Sequence, residues 1–152
     1  MSKTEKHIEY WPNGKKRIEG LVRDGIDVKM TEWHENGQKS GVGTYKDGKP
    51  CGIWTKWYEN GQKEVEGTVK DRKRDGKWTK WYENGKKREE GTFKDGEKEG
   101  KMTEWHANGH KKVEETYKDG KPYGLWTKWY ENGQKHKEIT FKDGKLIDKK
   151  EF

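Results

Sequence analysis

Hydrophobic and polar residues alternate along a phrase that the chain repeats. In "WTKWYENGQK" at residues 54–63, Trp54 and Tyr58 stand at even-numbered positions, while Thr55 and Trp57 stand at odd-numbered ones. Successive side chains of a strand point to opposite faces, so this alternation predicts a β-strand with aromatic residues on both faces. Close copies stand at 78–87 and 126–135, and no sustained 3.6-residue hydrophobic period is present. The pattern predicts an all-β protein.

Two dipeptides divide the chain at a nearly fixed period. Asn-Gly recurs at 13–14, 36–37, 60–61, 84–85, 108–109 and 132–133, with one spacing of 23 residues and four of 24. Asp-Gly falls between these pairs at 24–25, 47–48, 95–96, 119–120 and 143–144, and Asp71-Arg72 replaces one member of that series. A fixed period of this size indicates a repeat array. We assign a polar tail to residues 1–6, six repeats to 7–145 and a C-terminal cap to 146–152.

Each repeat is predicted to be a β-hairpin. Asn-Gly predicts a two-residue type I′ turn, because both central residues of that turn need positive φ. Around Asn60-Gly61 this register pairs four couples: Tyr58 with Lys63, Trp57 with Glu64, Lys56 with Val65, and Trp54 with Gly67. A longer connection of the type "GKPCG" is expected after each Asp-Gly. The predicted fold is an elongated antiparallel meander of about twelve strands built from six 24-residue hairpin repeats, with a single layer as one form of it.

Strand alternation assigns the aromatic residues to two stripes, one on each face. The first face is predicted to carry Trp54, Trp78 and Trp126 with Met30 and Met102, then Tyr58, Tyr82 and Tyr130 with His34 and His106, and finally Tyr45, Val69, Phe93, Tyr117 and Phe141. The second face is predicted to carry Trp33, Trp57, Trp81, Trp105 and Trp129, bordered by columns of threonine and glutamate. Neither face has the pattern of a fully buried surface.

Composition modifies this picture only slightly. Hydrophobic residues make up 26% of the chain and charged residues 41%, which is typical of disordered sequences. Nine Trp, seven Tyr and three Phe favour a folded protein that buries little per residue. The net charge of +7 comes from finely mixed residues with no run of five like charges. This mixture suits either a solvated sheet or an acidic partner.

The chain ends and the single cysteine bear on location. Cys51 is the only cysteine, so an intramolecular disulfide is excluded. Residues 1–6 are polar, and no stretch approaches the roughly 18 apolar residues of a membrane span. We expect a soluble, cytoplasmic protein.

The repeated phrase resembles a known repeat family. The spacing "G-x-W-x-x-W-Y-x-N-G-x-x-x-x-E-G", read from Gly52 onward, is similar to the MORN-repeat variant of many bacterial proteins. The resemblance implies aromatic-rich hairpins over nearly the whole chain. It also implies function, because bacterial proteins of this variant are often antitoxin or immunity components, and MORN proteins more broadly act as interaction scaffolds or meet phospholipid surfaces. Immunity proteins against basic nucleases tend to be acidic, whereas this chain is basic, so the resemblance favours other partners.

Candidate catalytic and metal-binding residues lack the spacing that such sites require. The five histidines are His7, His34, His106, His110 and His136, and no group of them has ligand spacing. His34 and His106 replace tyrosine in its column, which predicts packing. Ser2 and Ser40 are the only serines, and neither lies in a Gly-x-Ser-x-Gly turn. We predict no catalytic residue, no metal and no cofactor, and therefore a non-enzymatic protein.

Two lysine columns are candidates for binding. One is predicted beside the tyrosine column, at Lys16, Lys39, Lys63, Lys87, Lys111 and Lys135; the other is Arg23, Lys46, Lys70, Lys94, Lys118 and Lys142. Aromatic residues interleaved with cations could hold single-stranded nucleic acid or anionic lipid. They could equally meet a partner protein's acidic patch, or simply keep an exposed sheet soluble. Glutamates flank both columns and screen much of their field.

The function that we predict is protein–protein interaction, most specifically an antitoxin or immunity protein that binds and neutralises a toxin or another partner. Electrostatic binding to anionic membrane or nucleic acid is the alternative. Exposed Trp and Tyr commonly supply hot-spot contacts. The predicted partner-binding residues are Trp54, Tyr58, Lys63, Trp78, Tyr82, Lys87, Trp126, Tyr130 and Lys135.

The two end strands are predicted to be protected. Open sheet edges need protection against pairing with other chains. We expect Lys3, Lys6 and Pro12 to protect the first strand and the charged residues of "DKKEF" to protect the last. We expect either a monomer or a dimer paired edge to edge, in which Phe152 extends a terminal strand.

Overall fold

The computed structural model describes residues 1–152 and contains strands and turns but no helix. The strands are β1 (Thr4–Tyr10), β2 (Lys16–Arg23), β3 (Ile26–Trp33), β4 (Lys39–Lys46), β5 (Lys49–Trp57), β6 (Lys63–Lys70), β7 (Lys73–Trp81), β8 (Lys87–Lys94), β9 (Glu97–Trp105), β10 (Lys111–Lys118), β11 (Lys121–Pro122), β12 (Gly124–Trp129), β13 (Lys135–Lys142) and β14 (Lys145–Glu151). They form one antiparallel sheet in chain order, in which β11 and β12 both pair with β10. The predicted all-β hairpin meander is confirmed, with fourteen strand segments instead of about twelve.

The sheet is a single open layer. Substantial contacts join only strands that are neighbours in the sheet. Only 11 of 152 residues are buried, and the buried hydrophobic residues are Phe93 and Met102. The accessible surface is 10058 Å², whereas a globular protein of this mass would expose about 8,000 Å². The molecule therefore has two solvent-facing sides instead of one central core.

We name the two sides after their columns. The tyrosine face carries Trp54, Trp78, Trp126, Met30 and Met102 with Tyr58, Tyr82, Tyr130, His34 and His106. The threonine face carries Thr31, Thr55, Thr79, Thr103 and Thr127 with Trp33, Trp57, Trp81, Trp105 and Trp129. Four of these threonines, Thr55, Thr79, Thr103 and Thr127, are only 6–8% exposed, because both neighbouring strands cover them.

The Asp-Gly dipeptides form two-residue turns of the type I′ class. At the first of them, φ is 51° for Asp24 and 80° for Gly25, and Arg23 pairs directly with Ile26 across the turn. Positive φ at both central residues matches the right-handed twist of the flanking strands. The next strand begins at once, so the longer "GKPCG" connection that we predicted is wrong.

Glycine bulges take up the residues that we had assigned to that connection. On β5, Cys51 pairs with Thr44 and Thr55 pairs with Val42, so Gly52 and its two successors oppose Gly43 alone. Gly52 has φ of 69°, and Gly76, Gly100 and Gly124 occupy the same place in later repeats with φ between 64° and 83°. Extra residues on one strand bend it locally and keep the aromatic side chain on its face.

The Asn-Gly corners have a different geometry from the one predicted. Gly61 has φ of 84°, but Asn60 is not among the residues with positive φ. The amide of Gly61 donates to the Tyr58 carbonyl at 3.0 Å, and the amide of Tyr58 donates to the Gln62 carbonyl at 2.9 Å. This is a three-residue loop, a type I turn followed by a left-handed glycine. The two-residue type I′ assignment is wrong for all six of these corners.

Asparagine is required at these corners for its side chain instead of its backbone. Asn60 Oδ1 accepts from the amide of Gln62 at 2.9 Å, and its Nδ2 donates to the carbonyl of Glu83 in the next repeat at 2.8 Å. Asn13, Asn36, Asn84 and Asn108 make the same pair of bonds. Each corner is therefore bonded both to itself and to the corner beside it.

The altered corner shifts part of the cross-strand register. Lys56 pairs with Val65 and Trp54 with Gly67, as predicted. Trp57, however, pairs with Lys63, because a register shift follows the corner. The predicted couples Tyr58–Lys63 and Trp57–Glu64 are therefore wrong.

Arg72 is the one non-glycine residue at the second position of an Asp-Gly-type turn. Its φ is 64°, a conformation that costs a side-chain-bearing residue about 1–2 kcal/mol. We expect Arg72→Gly to raise the free energy of unfolding by about 1 kcal/mol in urea denaturation. Gly48→Arg, which introduces the same strain at φ of 72°, should lower it by a similar amount. Equal stability of both variants and the parent would contradict this reading.

Candidate partner-binding surface

The large aromatic residues of the tyrosine face are fixed by neighbouring strands. Trp78 lies flat over Gly67, where an added Cβ would overlap the indole, and Trp54 covers Gly43 in the same way. Trp78 Nε1 donates to the Thr68 carbonyl at 2.8 Å, and Trp126 Nε1 donates to Thr116 at 3.0 Å. The corresponding nitrogen of Trp54 is buried without a partner. The glycines thus leave room for indole rings that could not otherwise lie against the sheet.

Further contacts pack against each of these three indole rings. The rings of Tyr45 and Trp54 meet edge to face at 5.3 Å, and Trp126 lies 5.1 Å from Tyr117 and 4.6 Å from Phe141. The Arg74 guanidinium lies 4.8 Å from the centre of the Trp78 ring. Such pairs restrict the rotamers of half-exposed side chains. The face is therefore a preorganised aromatic surface.

The tyrosine column connects each repeat to the next. Tyr58 Oη donates to the Trp81 carbonyl at 2.8 Å, and Tyr82 Oη donates to the Trp105 carbonyl at 2.7 Å. Tyr130 belongs to the last repeat and stacks on His136 at 4.4 Å, with 46% of its surface exposed. Of the predicted binding tyrosines, two are therefore structural connectors, and Tyr130 presents a free hydroxyl.

The histidines in the tyrosine column make the same connection. His34 Nε2 lies 2.7 Å from the Trp57 carbonyl, and His106 Nε2 lies 3.1 Å from the Trp129 carbonyl. A carbonyl only accepts, so each Nε2 carries the hydrogen. The packing role predicted for both residues agrees with these contacts.

The lysines that we predicted beside the tyrosines lie on the opposite side. Lys63 Nζ bonds Glu66 at 2.7 Å, and Thr55 Oγ1 donates to the same carboxylate at 3.2 Å. Lys63 also lies over the Trp81 ring at 5.7 Å. Lys87 and Lys135 make the equivalent ion pairs with Glu90 and Glu138. The shifted register after each corner moves these three lysines to the threonine face, so the nine predicted residues do not form one surface.

The C-terminal residue completes the ring column of the threonine face. Lys87 lies 5.8 Å from the Trp105 ring and Lys111 lies 5.8 Å from the Trp129 ring. Lys135 makes the same contact with Phe152 at 5.6 Å. The Phe152 amide donates to the His136 carbonyl at 3.2 Å. Phe152 thus occupies the place where a seventh repeat would put tryptophan.

These ion pairs make stability depend on pH. The hydrogen bond from Lys63 lowers the pKa of Glu66. Burial alone would raise the pKa of Glu90 and Glu114, but their lysine partners outweigh it and lower both. A pKa lowered in the folded state stabilises the fold above the ordinary carboxyl pKa, and that stability disappears as the pH falls through the folded-state pKa.

We therefore expect the melting temperature to fall as the pH decreases from about 5 to about 3. Each pair is partly exposed, so its contribution stays below about 1 kcal/mol. A triple variant with Glu66, Glu90 and Glu114 changed to Gln should show a shallower pH dependence in circular dichroism melts. An unchanged slope in that variant would contradict the assignment.

Sequence reasoning overlooked one group of cations. Lys49, Lys73, Lys121 and Lys145 pair across the Asp-Gly-type turns with Lys46, Lys70, Lys118 and Lys142. The predicted columns contain only the second set. The spacing "K-D-G-K" contained the signal, because a two-residue turn places its flanking residues directly opposite each other.

The structure offers no group of three or more His, Cys, Asp or Glu side chains able to hold a metal ion. It also has no helix with the length and apolar character needed to cross a bilayer. The half-buried Cys51 thiol lies 3.9 Å from Thr44 Oγ1.

The chain belongs to the MORN repeat variant family. The family's pattern matches residues 26–47, 50–71, 74–95, 98–119 and 122–143. The first hairpin, β1 and β2, lies outside these matches, although its corner at Asn13 makes the same bonds as the others. No individually curated protein matches the chain. Repeats of this family are generally thought to mediate protein or membrane binding.

Proposed function

We propose that the chain is a non-enzymatic, cytoplasmic protein-binding module whose tyrosine face holds a partner protein. The supporting observation is an uncovered face on which the central repeats place large side chains held in one orientation by hydrogen bonds or glycine contacts, namely Trp54, Tyr58, Trp78 and Tyr82. Rigid, half-exposed aromatic residues supply much of the affinity in protein interfaces, because they lose little entropy on binding.

The face is large enough for a stable complex. Thirteen adjacent strand positions at about 4.8 Å give a length of about 60 Å, and eight residues per strand give a width of about 25 Å. The resulting area of about 1,500 Å² exceeds the roughly 800 Å² that one partner contributes to a standard interface. A partner could therefore bind part of the face without covering the whole array.

Each face has both paired and free lysines, and a free one on the tyrosine face lies beside an aromatic ring, where Lys56 and Trp54 line the same pocket. Lys63, Lys87, Lys111 and Lys135 are each paired with a glutamate within 2.7 Å. On the tyrosine face, Lys56 is exposed and forms no ion pair. A partner with carboxylates near its aromatic or apolar contacts would complement this face.

The narrower version of the proposal is an antitoxin or immunity protein that neutralises its partner. It is supported by the resemblance of the repeats to bacterial antitoxin-like proteins and by the preorganised face. The net charge of +7 fits an acidic or neutral toxin better than a basic nuclease.

The face can be tested with two charge reversals. The chain is first co-purified with the product of its neighbouring gene, and affinity is measured by calorimetry at low and high salt. We expect salt-tolerant stoichiometric binding that Lys56→Glu weakens by about tenfold or more, which is about 1.4 kcal/mol. Lys29→Glu, an exposed and unpaired lysine on the threonine face, is the matched control and should change the affinity by less than twofold.

Different outcomes separate the two levels of the proposal. If Lys29→Glu weakens binding and Lys56→Glu does not, the partner contacts the threonine face. If a complex forms but co-expression does not relieve growth inhibition by the partner, the antitoxin role is wrong and protein binding stands. If vesicles of phosphatidylserine bind in place of protein, the protein-binding proposal is wrong.

A further inference from the structure

The Asp-Gly turns form one long rim of the sheet, and this rim carries unpaired cations. We call it the Asp-Gly rim; its turns are 24–25, 47–48, 71–72, 95–96, 119–120 and 143–144. At four of these turns two lysines are direct cross-strand partners: Lys46–Lys49, Lys70–Lys73, Lys118–Lys121 and Lys142–Lys145. No carboxylate lies within ion-pair distance of these eight lysines. By contrast, five lysines that follow the Asn-Gly corners are paired with glutamate: Lys16, Lys63, Lys87, Lys111 and Lys135.

Such pairs act against folding. Like charges placed directly opposite each other destabilise a sheet, and opposite charges at the same positions would stabilise it. The fold also accepts opposite charges at this place, because in the turn after β8 Lys94 is the direct cross-strand partner of Glu97. Four lysine pairs therefore reduce stability without serving the hairpin.

Arg72 adds a second cost at the same rim. It stands in left-handed conformation where the other five turns have glycine. It belongs to the same group of turns as Lys46, Lys49, Lys70 and Lys73, where the acidic residues of the turns and of β7 are Asp47, Asp71 and Asp75. Strained residues and uncompensated charge at one place indicate a binding site.

The cations lie in two groups, each along a groove between adjacent turns. The first groove is lined by Lys46, Lys49 and Lys70 with Pro50 and Cys51. The second is lined by Lys118 and Lys121 with Pro122 and Tyr123. Turn aspartates Asp47, Asp71, Asp119 and Asp143 also line the grooves. The turn at Asp95-Gly96 lies between the two groups. Two carboxylates that follow it reach the second group: Glu99 accepts from the Asp119 amide at 2.9 Å, and Glu97 lies beside Gly120.

The second groove also has an exposed aromatic residue. Tyr123 is 50% exposed, and Lys118 Nζ lies 5.7 Å from the centre of its ring. Tyr123 interrupts the strand between β11 and β12, so its ring is not part of the packed stripes. An exposed aromatic ring beside two lysines that have no carboxylate partner can stack a base while the lysines contact phosphates.

We propose that the Asp-Gly rim binds single-stranded nucleic acid, with phosphates in the two grooves and a base on Tyr123. The rim is a narrow line of about 60 Å, which suits a linear polyanion better than a planar membrane. This surface differs from the tyrosine face, so the proposal goes beyond the proposed function and does not depend on it.

The test uses the full chain and a fluorescent single-stranded oligothymidylate in fluorescence anisotropy. We expect binding at low salt. The logarithm of the association constant should fall linearly with the logarithm of the salt concentration, with a slope of about −3 if four phosphates are contacted. A variant with Lys118, Lys121, Lys142 and Lys145 changed to Gln should bind about tenfold more weakly or worse, with a shallower slope. Tyr123→Ala should weaken binding about tenfold without changing the slope.

The matched control removes the same charge elsewhere. Lys63, Lys87, Lys111 and Lys135 changed to Gln also lowers the net charge by four, and it should change the affinity by less than about threefold. The rim variant should melt no lower than the parent, because it removes like-charge pairs; this result separates lost binding from lost folding.

Four results would overturn the proposal. The first two are no binding at low salt and an equal loss of affinity in the rim and control variants. The third is an unchanged affinity of Tyr123→Ala for the oligonucleotide together with full competition by inorganic polyphosphate. The fourth is binding of phosphatidylserine vesicles but not of the oligonucleotide.

Discussion

Gly67→Ala is expected to destabilise the protein by about 3 kcal/mol, a large loss for a fold with so little buried surface. A Cβ at this position would overlap the Trp78 indole, so the ring would have to leave its place against the sheet and give up its bond to the Thr68 carbonyl. The measurement is the free energy of unfolding in urea, with tryptophan fluorescence as the signal.

The chain supplies a matched control for this substitution. Gly20 has the same place in the first repeat, but no indole covers it, and a Cβ there would meet its nearest neighbours at 3.8 Å and 3.9 Å. Gly20→Ala should therefore be neutral or should stabilise by up to about 1 kcal/mol. Equal effects at both positions would mean that the indole does not need the glycine.

Tyr82→Ala should cost about 2–3 kcal/mol, because it removes both a half-buried ring and the connection to the next repeat. Tyr82→Phe keeps the ring and loses only the hydrogen bond to the Trp105 carbonyl, so it should cost about 1 kcal/mol. Tyr130→Ala is the control, since Tyr130 is 46% exposed and no repeat follows it, and it should cost less than about 1 kcal/mol.

The comparison also bears on function. Loss of partner binding in a Tyr82 variant could reflect a weakened array instead of a lost contact, whereas Tyr130 can be changed with little effect on the fold. If Tyr130→Ala lowers the free energy of unfolding as much as Tyr82→Ala does, the role of Tyr82 as a connector between repeats is wrong.

The repeat length, the hairpins and the two aromatic stripes could be predicted from the sequence, because they depend on local periodicity. The cross-strand pairing of Trp54 with Gly67 was predicted correctly, since that pair lies far enough from the corner for the bulge and the longer loop to compensate. The indole that covers Gly67, however, is that of Trp78 on the other neighbouring strand. The corner itself was not predicted correctly. Asn-Gly favours a type I′ turn locally, but in the folded array Asn60 gains a bond to Glu83 of the next repeat. All five corners that make this bond have the three-residue loop.

That single difference explains why three predicted lysines lie on the other face of the sheet. A change of register by one residue moves a side chain to the other face, and Lys63, Lys87 and Lys135 follow the corner directly. Their partners Glu66, Glu90 and Glu138 stand three residues later, a spacing that was present in the sequence but has meaning only with the bulge in place. The lysine pairs of the Asp-Gly rim were overlooked for the converse reason, because we expected a longer connection there.

The central claim is that six hairpins form one open layer in which each repeat is held only by its neighbours, and small-angle X-ray scattering tests it most directly. A layer about 60 Å long and 25 Å wide should give a radius of gyration of about 19 Å, whereas a globular chain of this length would give about 15 Å. A monomer with the larger value and an elongated distance distribution is the predicted result. A compact monomer near the smaller value would contradict the account.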